Sequence, residues 1–70
     1  MYKNLEAEMV RKGISRKDIA DVLGVRYGTV IEKLSGKYEF KLKEAFAIKK
    51  EIFPNLDIEY LFEKDKTHLN

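Results

Sequence analysis

Ser15-Arg16-Lys17-Asp18-Ile19-Ala20-Asp21-Val22-Leu23-Gly24-Val25-Arg26-Tyr27-Gly28-Thr29-Val30-Ile31-Glu32-Lys33-Leu34 reads as two short helices joined by a tight turn. Ser15 can cap the first helix, its hydroxyl accepting a free backbone N–H. Asp18, three residues on, is a shorter stand-in for the Glu of a capping box. Ile19, Val22 and Leu23 fall at i, i+3 and i+4 and share one buried face. Ala20 beside them lets a second helix approach closely. Gly24 ends the helix, because it takes the left-handed conformation that other residues resist. Val25 plugs the corner. The second helix starts near Arg26 and buries Val30 and Leu34, one turn apart. Helix, small residue, glycine turn, apolar plug and helix are the parts of a DNA-binding helix-turn-helix, in order.

Outward from this stretch the chain reads as more helix. Residues 3–12 form a first helix with Leu5 and Met9 inward beside Tyr2, stopped by Gly13 before Ile14 packs. Downstream, Ser35-Gly36-Lys37-Tyr38-Glu39 is a loop with Phe40 tucked under it as an anchor. Leu42 to Ile52 forms a fourth helix, with Leu42, Ala45, Phe46, Ile48, Ile52 and Phe53 at core spacing. Phe53-Pro54-Asn55 breaks it, since proline cannot continue a helix. Asp57 then caps a short fifth helix carrying Ile58, Leu61 and Phe62. No repeat, low-complexity segment or strand-like alternation stands out. The expectation is an all-α, compact five-helix bundle over residues 1–63, with a frayed polar tail at 64–70.

Composition bounds the class. Seventy residues make one domain near the lower size limit for a self-sufficient core, and 44% hydrophobic residues suffice to build it. No cysteine is present, so disulfides and thiolate metal sites contribute nothing. No signal peptide is evident, and no apolar run approaches the ~20 residues that span a bilayer, so the expected location is cytoplasmic. The net charge of +2 is small but unevenly spread. Residues 1–50 hold 12 Lys/Arg against 7 Asp/Glu, and residues 51–70 hold 2 against 5. That suggests a basic body able to meet phosphate and an acidic end kept from it, although a solvated surface with 37% charged residues is the plain alternative.

Ala20, Gly24-Val25, Thr29-Val30 and Ser35-Gly36-Lys37 resemble the signature of the phage-repressor, Cro-type (XRE) helix-turn-helix family. The run Phe40-Lys41-Leu42-Lys43-Glu44-Ala45 and the ending Asp57-Ile58-Glu59-Tyr60-Leu61-Phe62 are similar to its small phage-associated members. The likeness covers roughly Lys3 to Phe62 and implies a lambda-repressor-like bundle. The family often carries a buried Arg–Glu pair between helix 1 and the end of the recognition helix. The matching positions here are Met9 and Leu34, an apolar swap that predicts contact between the two. Lys41 stands where the family often has a capping Ser or Thr, a loss of about 1 kcal/mol or less unless the lysine gains a phosphate.

The resemblance implies that helix 3 enters the major groove with its N-terminal end first. Positions matching the family's base readers are Tyr27, Gly28 and Glu32. A helical wheel with Val30 and Leu34 inward points Gly28 and Glu32 outward, flanked by Ile31 and Thr29. Tyr27 offers a ring edge and a hydroxyl, Ile31 suits a thymine methyl, and Glu32 can accept from a cytosine amino group. Gly28 costs roughly 1 kcal/mol against Ala, which backbone approach to DNA would justify and plain tolerance would also explain. The expected phosphate contacts are Arg16, Arg26, Thr29, Lys33, Ser35 and Lys37 with Gly36, and Lys41 or Lys43 at the edge. Lys33 replaces a residue that is usually apolar in the motif. Homodimerisation on two half-sites would supply affinity, with Ile58, Tyr60 and Phe62 as candidate dimer contacts unless they complete the monomer core.

Enzymatic activity is not expected. His68, the only histidine, lies in the polar tail, no glycine-rich phosphate loop is present, and the carboxylates are scattered among lysines on helix surfaces. No cofactor, metal, small-molecule substrate or membrane partner is called for. The partner the reading points to is double-stranded DNA, bound by a regulator that acts through operator occupancy. The rival is a protein-interaction module on the same fold, such as an antirepressor or accessory factor, since Tyr27, Ile31 and Glu32 also suit a protein surface. A domain recruited by a larger assembly is a third option.

Overall fold

Helix boundaries fall where short-range chemistry sets them. The computed structural model describes residues 2–64, and its regular elements are α1 (Lys3–Lys12), α2 (Arg16–Leu23), α3 (Tyr27–Ser35), α4 (Leu42–Glu51) and α5 (Ile58–Leu61). The capping box forms in full at α2. Asp18 N–H donates to Ser15 Oγ at 3.1 Å, and Ser15 N–H donates to Asp18 Oδ2 at 2.8 Å. Gly24 closes α2 at φ 69°, its N–H reaching Ala20 O at 2.8 Å, and Val25 N–H shares that carbonyl at 3.1 Å. A side chain at that φ would strain the backbone, so the glycine sets the turn angle. Ile52 stands at the end of α4, ahead of Pro54, and Asp57 occupies the N-cap of α5 without a side-chain bond.

The core is one cluster in which Leu5, Ile19, Val30, Ile48 and Leu61, one from each helix, are fully enclosed. Each such side chain contributes roughly 1.5–3 kcal/mol relative to exposure. Met9 and Leu34 both belong to this cluster, 5% and 2% exposed. α2 packs on α3 and α4, and α5 lies against α1 and α4. Tyr2, Phe40 and Phe62 meet edge-on, with centroids 5.2 to 5.9 Å apart, and Asn4 Nδ2 donates to Tyr60 O at 2.9 Å. The first helix, the loop before α4 and the last helix are thereby clasped at one end.

Two expectations are corrected in α4. Leu42 and Phe46 are 71% and 52% exposed, whereas Ala45, Ile48 and Ile52 face the core. The apolar positions of this helix cover too wide an arc for all to face inward, and the helix is rotated so that Glu44 meets Lys33 of α3. Glu44 and Ile48 are one turn apart, so turning that side in carries Leu42 and Phe46 out. The expected tail, including His68, lies beyond residue 64 and outside the described residues.

Candidate nucleic-acid interface

α3 takes its orientation from three residues on one side. Val30 and Leu34 are buried in the core, and Lys33 beside them is only 7% exposed. Gly28 and Glu32 lie on the opposite side, Ile31 lies between the two, and Tyr27, one turn before Val30, is open because it stands at the start of the helix. Tyr27 and Gly28 are exposed at the first turn, and Ile31 and Glu32 are half-buried one turn later. A methyl group added at Gly28 would meet nothing within 4 Å, so packing within the chain does not require the glycine. Thr29 is half-buried and its backbone N–H reaches Arg26 O at 3.1 Å, which starts the helix.

The expected phosphate ligands separate into three kinds. Arg16, Arg26, Lys41 and Lys43 are exposed and make no ion pair among the described residues. Lys37 is exposed but already faces Glu32 Oε2 at 3.7 Å, with its ammonium 5.5 Å from the Tyr38 ring centroid. Ser35 donates its hydroxyl to Glu32 O at 2.9 Å, tightening the last turn of α3. Lys33 is the correction. Its ammonium lies 2.8 Å from Glu44 Oε1, 3.4 Å from Glu39 O and 6.0 Å from the Phe40 ring centroid, inside the protein and out of reach of a phosphate.

Glu44 is the residue that sequence reasoning missed. The same Oε1 that binds Lys33 accepts the Lys41 backbone N–H at 2.9 Å, so one carboxylate joins α3 to α4 and closes the start of α4, where the lysine side chain supplies no acceptor. Burial pushes this carboxyl up, but the hydrogen bonds from Lys33 and Lys41 and the positive charge of both outweigh it and hold it below the usual range. One sign was available in the chain: a lysine at a motif position that is usually apolar requires a buried counter-charge. Tyr38 was read only as loop, yet it stands 53% exposed beside Lys37 at the edge of the same surface.

The dimer candidates are largely occupied within the monomer. Phe62 belongs to the aromatic clasp, and Tyr60 O–H donates to Glu8 Oε2 at 2.8 Å with the residue 36% exposed. Ile58 is half-buried. No helix is long and apolar enough to cross a membrane, and no group of three metal-ligating side chains gathers among the described residues. No family model, curated protein or solved structure matches the chain.

Proposed function

We propose that this protein binds double-stranded DNA sequence-specifically through α3, in a lambda-repressor-like arrangement, and regulates transcription by occupying an operator. The observation that carries the reading is the contrast between the two sides of α3. Val30, Lys33 and Leu34 are buried, while Tyr27 and Gly28 stand open, and Arg16, Arg26, Lys37 and Lys41 are exposed as well. Base-edge contacts would fall to Tyr27, Ile31 and Glu32, with Gly28 admitting the DNA backbone. Backbone grip would fall to the four cations with Thr29 and Ser35. A single short helix binds weakly, and a homodimer on two half-sites adds affinity by symmetry. The molecule measures 36 × 27 × 22 Å, so two copies side by side suit half-sites one DNA turn, about 34 Å, apart. Such a regulator would work in the cytoplasm and needs neither a cofactor nor catalysis.

A second reading, a protein-docking module, is favoured by one observation: Glu32 and Lys37 neutralise each other on the reading side. Selection of bound sites from random duplex DNA, followed by titration at increasing salt, separates the two. DNA reading predicts an enriched consensus, binding that falls steeply with salt, and loss of affinity on every sequence for Lys37→Glu. Failure to enrich any sequence, or binding indifferent to a polyanion competitor, removes the DNA reading.

A further inference from the structure

We infer that the outward side of α4 docks an acidic amphipathic helix of another protein. Leu42 and Phe46 sit one turn apart and project into solvent, so the two together make one exposed apolar patch. Phe46 has Lys43 at i−3, Lys49 at i+3 and Lys50 at i+4, so the apolar pair lies within a lysine fringe. Lys49 donates to Pro54 O at 2.7 Å, whereas Lys43 and Lys50 have no ion partner among the described residues. At the foot of Leu42 opens a cavity of about 290 Å³, floored by Tyr2, Phe40 and Phe62 and crossed at its rim by the Glu39–Lys64 ion pair.

These features together select the occupant. Side chains one turn apart form a ridge that interlocks with the i, i+4 grooves of a facing helix, and the cavity beside them accepts one apolar side chain in return. The unpaired lysines call for acidic residues flanking the partner's apolar stripe. A second copy of this chain is disfavoured, because a two-fold pairing of this face sets Lys43 and Lys50 against their own counterparts. A bilayer is disfavoured because it cannot fill a notch and would meet only two protruding apolar groups. Phe46 and Lys50, the two positions varied below, are not among the residues assigned to DNA, whereas Lys43 stands at the edge of both surfaces.

The test titrates the isotope-labelled full chain with a synthetic helical peptide, leucine at i, i+3, i+4 and i+7 and glutamate elsewhere. The expected result is saturable shifts in the amides of Leu42, Lys43, Phe46 and Lys50, with those of Gly28 and Glu32 unmoved. Phe46→Ser should bind roughly tenfold more weakly. Lys50→Glu, an exposed change that keeps the core intact, should also weaken binding. Neither variant should alter DNA affinity, so failure here is distinct from failure of the DNA reading. The proposal is overturned if a scrambled peptide of the same composition shifts the same amides equally, or if both variants bind the peptide as the unaltered chain does. It is also overturned by no binding at all, by a dimer in sedimentation that Phe46→Ser dissociates, or by retention on phosphatidylglycerol vesicles that Phe46→Ser abolishes.

Discussion

An ammonium group 2.8 Å from a carboxylate, with 9% and 12% of the two side chains exposed, is tolerated only as a pair. Removing the anion leaves a buried cation alone, and Glu44→Gln should therefore cost about 3 kcal/mol or more in urea unfolding. Adding Lys33→Met should restore most of the loss, since the amide at position 44 can still accept the Lys41 N–H while the thioether fills the lysine's volume. The sign of the pH dependence follows from the lowered carboxyl of Glu44. Its contribution is present above the unfolded carboxyl value of about 4.3 and is lost as pH falls through the lower folded value. Urea midpoints from neutral pH to pH ~3 should fall more in the unaltered chain than in the double variant. Gly28 offers the converse test. A methyl there meets open space, so Gly28→Ala should stabilise the fold by up to about 1 kcal/mol. If the backbone of α3 approaches DNA at that point, the same variant loses affinity for its selected site. Stability and binding moving in opposite directions would mark the glycine as functional. Ser15, Asp18 and Gly24 were legible in the sequence because their partners lie within four residues. Lys33 was not, because its partner stands eleven positions away across a loop.

Among the elements, α2 begins with both halves of a capping box, whereas at α4 only the Glu44 half closes the start. Ser15→Ala removes the acceptor for Asp18 N–H and should cost about 1 kcal/mol, measured by thermal or urea unfolding. At α4, Lys41 lacks an acceptor and places positive charge at the positive helix end. Lys41→Ser should therefore stabilise the protein by up to about 1 kcal/mol, and it should weaken DNA binding if the lysine meets a phosphate. The element order could be read from the chain, since glycine, proline and cap residues punctuate it at short range. The rotation of α4 could not. Leu42, Ala45, Phe46, Ile48, Ile52 and Phe53 satisfy helical spacing whichever side is turned in. The choice was made by Glu44 reaching Lys33, a tertiary contact that periodicity does not encode.

For the whole molecule, the excess of cations in residues 1–50 and of anions in residues 51–70 makes a salt-dependence prediction. If about four phosphates are neutralised per subunit, log affinity should fall with log salt at a slope near −3.6, and Lys37→Glu should flatten it by roughly 1 or more. Buried Lys33 contributes nothing to that slope, whereas the sequence alone would have counted it. The exposed side of α3 was anticipated from Val30 and Leu34 facing inward, but the Glu32–Lys37 pairing on it was not. The clasp of Tyr2, Phe40 and Phe62, with Asn4 holding Tyr60, has a topological consequence. Tyr2 and Phe62 are neighbours, so the path of the backbone between them is nearly a closed ring. A short linker from Lys64 to Tyr2, with a new opening cut in the exposed loop at Lys37, would reorder the sequence and leave every buried contact where it is.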